Sequence, residues 1–230
     1  MPARAVVLPG TPLLVPGAGG GTDLLGEVRL AVDGALDRLV ADVAAHGDGD
    51  APLVVLAPVP RGASGGFGRR RPSLAGAGVA DRWVPAVAGW AGAADPAAHV
   101  PASVALVALH AALERAGHPA QPVAVLEVAG AAPAAPAEGV AALRRAPAVV
   151  VAGGAAPGAS DTARDETGDV PADAAGLGPV RLEAAVAALL DGAVAPSAWT
   201  WRVTTVAGGH EHLPAAYGIA EGGVRRPGRD

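Results

Sequence analysis

Four short, mainly apolar runs punctuate this chain: Ala5 to Leu8, Leu53 to Ala57, Val123 to Val128 and Ala148 to Ala152. Runs of this length that do not alternate with polar residues predict strands covered on both faces, the pattern of a parallel sheet. Between the first two, Leu25, Val28, Val32, Leu36, Leu39 and Val43 recur at three- and four-residue spacing. That spacing predicts a helix with Thr22 as N-cap and Asp23 in its first turn, ending near His46-Gly47. A second helix is expected from Ala102 to Ala116, with Pro101 near its start and Gly117 as its stop. A short one follows from Glu138 to Arg145, and Val180, Leu182, Val186, Leu189 and Leu190 mark another.

The connections carry less pattern. From Pro58 to about Ala98 the chain is rich in Gly, Pro and Arg, and only Trp83 to Val87 resembles a short strand. Gly153 to Gly178 is polar and glycine-rich, whereas Trp199 to Val206 alternates well enough for a strand with tryptophans on one face and Thr200 and Arg202 on the other. Strand and helix alternate throughout, so the expected fold is three-layer α/β: a mostly parallel central sheet with helices on both faces, in one domain over residues 1–230.

Composition narrows the chemistry. Half of the 230 residues are apolar but aromatics are only 3%, so the core must be built from small side chains packed between layers. Cysteine is absent, which excludes disulfides, thiolate nucleophiles and cysteine-bound metal centres. All seventeen basic residues are arginine, which excludes a Schiff-base lysine and a phosphate-loop lysine. A net charge of −5 offers no general attraction to nucleic acid, and no such partner is expected. The longest uncharged stretch, Pro96 to Leu113, is broken by Pro101 and holds His99 and His110, so no membrane partner is expected either. The first residues lack a basic region followed by an apolar run, which predicts a cytoplasmic protein.

The opening residues, Ala5-Val6-Val7-Leu8-Pro9-Gly10-Thr11-Pro12-Leu13-Leu14, are similar to the first strand of class III extradiol ring-cleavage dioxygenases, in the chain that holds their catalytic iron. That strand ends in a Pro-His-x-Pro-Leu-Leu pattern. Val149-Val150-Val151-Ala152-Gly153-Gly154 resembles the family strand ending in Gly-Gly-x-Ser-His, and Ala216-Tyr217-Gly218-Ile219-Ala220 resembles the Tyr-Gly-Val-Gly-Tyr ending of small actinobacterial members. The resemblance implies the α/β fold, homo-oligomerisation, and an iron site of two histidines and a carboxylate. At the matching positions this chain has Gly10 for the first histidine, Pro58-Val59-Pro60-Arg61 where the second follows its strand, and Ala155-Ala156-Pro157 in place of the catalytic base. The expectation is therefore a binding or accessory protein without ring cleavage and without a cofactor, its small-molecule or protein partner unspecified.

Two enzyme readings compete with it. His210 and His212 stand two apart, so in an extended segment both imidazoles point one way and could hold a transition metal, iron or zinc, for an oxygenase or hydrolase. A third ligand would come from elsewhere, such as Asp161 or Asp165; the alternative is a polar turn before Pro214. Ala207-Gly208-Gly209-His210-Glu211-His212 also resembles the family's base motif, with His212 as base. Ser64 in Gly62-Ala63-Ser64-Gly65-Gly66 matches the G-x-S-x-G of serine hydrolases, although Pro58 and Pro60 part it from its strand and Pro72 discourages a following helix. Gly17 to Asp23 sits where a dinucleotide turn would, but Thr22 breaks the glycine pattern and Asp23 would repel a phosphate. Arg69-Arg70-Arg71 reads as a solvated loop, and Trp83 and Trp90 as apolar surface for self-association.

Overall fold

The computed structural model describes residues 4–46, 51–90, 92–129, 135–153, 182–194, 199–209 and 213–224. Seven strands form one sheet: β1 (Arg4–Leu8), β2 (Leu53–Pro58), β3 (Gly66–Gly68), β4 (Val123–Val128), β5 (Ala148–Ala152), β6 (Trp199–Ala207) and β7 (Ala216–Val224), in the spatial order β3-β4-β2-β5-β1-β7-β6. The central strands β4, β2, β5 and β1 run parallel, while β3 and the β7–β6 hairpin add antiparallel edges. The sheet is thus mixed around a parallel core, and the four apolar runs of the sequence are its centre.

Strand residues divide strictly by parity between two cores. Val6, Leu8, Leu53, Val55, Ala57, Val125, Val150 and Ala152 face one side, where α1 (Gly26–His46) and α3 (Val100–Arg115) cover them. Ala5, Val7, Val54, Leu56, Leu126, Val128, Val149 and Val151 face the other, under α4 (Ala137–Arg145) and α5 (Ala184–Val194). Neighbouring Cβ atoms along a strand point to opposite faces, so an unbroken apolar run serves two cores at once. The chain steps from β1 to β2 and on to β4 with α1 and α3 on one face, then returns from β4 to β5 with α4 on the other. Reversing both direction and face keeps the crossovers of one hand.

The two large helices are joined across their exposed edges. Arg115 of α3 donates to Asp33 at 3.1 Å and to Asp37 at 2.8 Å, both on α1. Gly117, at φ +79°, ends α3 as expected: the His118 N–H returns to the Leu113 carbonyl at 2.8 Å.

Three segments depart from the sequence pattern. The α1 helix starts at Gly26 rather than after Thr22, because the Asp23 carboxylate holds Arg29 at 2.8 Å while Arg29 donates to the Leu14 carbonyl at 2.9 Å. Asp23 therefore fastens the preceding loop instead of opening the helix. Trp83 to Val87 is not a strand: a 3-10 turn at Asp81–Trp83 leads into a one-turn helix, α2 (Pro85–Ala88). Pro85 has no N–H to give a ladder, and Val84 and Val87, both buried, are spaced for a helical face. The long loop is also more ordered than its composition suggests. Arg70 and Arg71 face Glu127 and Asp81 and fasten the loop, whereas Arg69 is 82% exposed and stands in solvent near Asp95.

Trp83 is exposed, at 68%, and stacks under the Arg82 guanidinium, whereas Trp90 packs on the His110 ring at 4.8 Å. Among the described residues no helix is long and apolar enough to cross a membrane.

Burial holds the His110 imidazole below its ordinary 6.5, with Glu114 opposing the shift more weakly. The unfolded chain then binds this proton more readily than the folded one, so the stabilisation is complete above that value and is lost as pH falls beneath it. Melting temperature should drop between about pH 7 and about pH 5, and His110→Gln should flatten part of that slope. An identical slope in the variant would remove the assignment.

Candidate functional site

In an open α/β sheet, ligands bind beyond the carboxyl ends of the strands, where neighbouring connections leave for opposite faces. Here that place is the end of β5, flanked by β2 and β1, whose own connections lead to the opposite layer. The residues emerging there are Gly10 after β1, Pro58 at the end of β2, and Gly153 after β5. They are the positions at which a resemblance to ring-cleavage enzymes would place metal ligands and the start of the base-bearing segment.

The three residues converge, but on each other. A Cβ added at Gly10 would lie 3.0 Å from the Pro101 Cβ in the first turn of α3 and 3.3 Å from the Gly153 nitrogen. Gly153 has φ +125°, and a Cβ there would meet Pro58 Cδ at 2.9 Å. The Gly153 N–H in turn reaches back to the Leu8 carbonyl at 3.4 Å. Backbone and proline rings crowd Gly10 and Gly153, and none of the four residues offers a metal-binding atom on its side chain.

One charged side chain reaches into this end of the molecule from the sheet. Glu127, on β4, is 2% exposed and shares the α3 side of its strand with Val125. Its Oε1 accepts the His99 backbone N–H at 2.6 Å and lies 3.1 Å from His99 Nδ1, while Oε2 is 3.5 Å from Arg70 Nε. His99 is the N-cap residue of α3 and has no side-chain cap bond of its own. The carboxylate thus meets an orphan helix donor, the positive end of the helix dipole, an imidazole and a guanidinium together. A carboxylate so engaged orients His99 and ties the α3 start and the Arg70 loop to β4. In the sequence, Glu127 stands as the one charge inside an otherwise apolar strand, and that anomaly was the available signal; His99 carries none.

The other candidates fall elsewhere. Ser64 is exposed in the connection after β2, preceded by a turn at Arg61-Gly62 and followed by the strand β3 rather than by a helix. The strand, serine and helix that expose a strained nucleophile are not assembled there. The glycine loop from Gly17 to Thr22 leads to Arg29, but that guanidinium is taken up by Asp23 and by the Leu13 and Leu14 carbonyls. His210 and His212, with Asp161 and Asp165, lie outside the described residues. Among the described residues, no three His, Asp or Glu side chains come close enough to hold a metal ion. The donor set at Gly10, Pro58 and Gly153 does not fit the two histidines and carboxylate that ferrous iron requires in the extradiol family.

Compared with known proteins, the chain matches no family model, no curated protein and no solved structure. What its geometry defines is an α/β protein with a mixed seven-stranded sheet, glycines crowded by proline at the parallel strand ends and a buried carboxylate on β4.

Two substitution pairs probe this end. Gly153→Ala combines a left-handed φ with a contact against Pro58, and it should destabilise the protein by about 3 kcal/mol, more than the milder crowding of Gly10→Ala. Equal melting temperatures for the two would contradict the packing described. Glu127→Ala, by stripping the acceptor from the His99 N–H, should cost about 2 kcal/mol in denaturant unfolding, and Glu127→Gln distinctly less. If Gln proved as damaging as Ala, hydrogen bonding would not be what holds α3 to the sheet.

Proposed function

We propose that this chain is a class III extradiol dioxygenase-like protein, related to the iron-holding chain of those enzymes, that does not cleave aromatic rings and works as a binding or accessory protein. The order of the resembling segments along the chain supports the family reading, as does a parallel α/β core with Gly10, Pro58 and Gly153 at its strand ends. The observation that carries the loss of chemistry is steric. A Cβ at Gly10 would already lie 3.0 Å from the Pro101 Cβ and 3.3 Å from the Gly153 nitrogen, so a side chain there would require those neighbours to give way. Glu127, the buried carboxylate nearest in kind to a metal ligand, has its oxygens engaged by His99 and Arg70.

This reading extends beyond the substitution itself. Crowding of Gly10 by Pro101 and Gly153 adds to the want of a histidine there. Purified protein reconstituted anaerobically with ferrous iron should neither retain it stoichiometrically nor open catechol or protocatechuate, and Gly10→His should gain neither property. Tight one-to-one iron binding with ring cleavage, abolished by His210→Ala or His212→Ala, would overturn the proposal and make those histidines the site.

A further inference from the structure

The sheet ends on one side in a strand with a single neighbour. Among the described residues β6 pairs with β7 alone, so the backbone N–H and C=O groups along its other side have no ladder partner there. We propose that this edge pairs antiparallel with β6 of a second copy of the chain, joining two seven-stranded sheets into one across a two-fold axis at Val203. The inference is independent of the extradiol reading.

The character of β6 sets it apart from an ordinary edge. It runs for nine residues and stays in register with β7 throughout, from Trp199 opposite Val224 to Ala207 opposite Ala216, with no bulge. Every residue in it except Arg202 and Ala207 is β-branched or aromatic, and it holds no proline, glycine, lysine or carboxylate. Arg202 and Thr204 on one face and Thr205 on the other are exposed, so the described elements do not close over this part of the strand from either side. Soluble proteins shorten, bulge, charge or cover such edges, because an open one is a template for further strands. The opposite edge follows that rule: β3 is three residues long and two of them are glycine. Apart from its one arginine, β6 has no such device and depends on being covered.

A second copy is the occupant because the rest of this chain offers no matching strand. The described strands already have their places in the sheet. Outside the described residues, the sequence contains no two successive β-branched or aromatic residues, the composition from which a strand would be made. The β6 sequence, by contrast, complements itself. Residues opposite each other in an antiparallel pair share a face, so a two-fold at Val203 sets Arg202 against Thr204 of the partner subunit and Trp201 against Thr205 of the partner subunit. An indole facing a β-branched side chain is a favourable cross-strand pair, whereas a two-fold at Arg202 would set guanidinium against guanidinium. The Val203 register also uses all nine residues of the strand. Such a contact is isologous, so it closes as a dimer and does not propagate.

The test is the mass of the full chain in solution. Light scattering at about 100 µM protein should give twice the 22.2 kDa chain mass, falling towards one chain on dilution. Thr204→Lys, at an exposed position, sets an ammonium against each Arg202 across the axis and should raise the dissociation constant about tenfold or more; Thr204→Glu sets a carboxylate there and should lower it. Trp83→Ala, at the exposed tryptophan of the long loop, should leave it unchanged. Because the chain has no cysteine, Val203→Cys introduces a lone thiol, which should oxidise to a covalent dimer: facing Cα atoms about 4.5–5.5 Å apart suit a disulfide. Thr205→Cys, which faces Trp201 of the partner subunit and not its own copy, should not cross-link. A mass of one chain at every concentration would overturn the proposal and would mean that the edge is closed within the chain. A dimer indifferent to both Thr204 substitutions, one lost with Trp83→Ala, or one cross-linked as readily through Thr205→Cys as through Val203→Cys would overturn it as well.

Discussion

Burial of the four parallel strands on both faces is the constraint from which the rest of this molecule follows. Each strand contributes alternate residues to two separate cores, so neither face can be left to solvent and each needs its own pair of helices. With almost no aromatic residues to fill space, the layers are built from Ala, Val and Leu, and the helices lie close to the sheet. Such packing leaves little tolerance at the strand ends, where the same layers must also admit the connecting loops. Gly10, Gly153, Pro58 and Pro101 meet at that point, and their contacts of about van der Waals distance are what two-sided compression by small residues produces.

Glu127 is the exception that this constraint permits. A charge inside a doubly covered strand would be prohibitive unless its oxygens were met, and they are met by the elements that most need anchoring: the N-terminus of α3 and the Arg70 loop. The long Gly/Pro connection is held at several further points. Arg71 exchanges backbone bonds with Pro96 and Ala98, the Ser73 N–H donates to Ser103 Oγ, and the Leu74 N–H donates to Asp81. The segment is thus held within itself and to α3 by polar contacts, along with buried Leu74, Val84 and Val87, and the α3 start crowds Gly10.

The β7–β6 hairpin obeys a different rule. Antiparallel strands tolerate solvent on one side, and Arg202 and Thr204, on one face of β6, are exposed accordingly.

The apolar runs by themselves determined the parallel core: β4 and β5 coincide with the sequence reading, β1 and β2 differ by one residue, and α3 and α4 match to within two residues. These elements are legible because unbroken apolar strands and helical spacing are local consequences of how each segment will be buried. Gly10, where the resemblance would set a histidine, was equally visible, since it is a property of one position. Tertiary structure decided what no local pattern contains. Val84 and Val87 turned into a helix because core lay beneath them, Asp23 was drawn out of the α1 start by Arg29, and Glu127 became an anchor only when α3 arrived. Whether a Cβ at Gly10 would be crowded depended on Pro101, ninety-one positions along the chain; contacts between residues so distant in sequence are set by layer packing, which leaves no periodic trace in either segment.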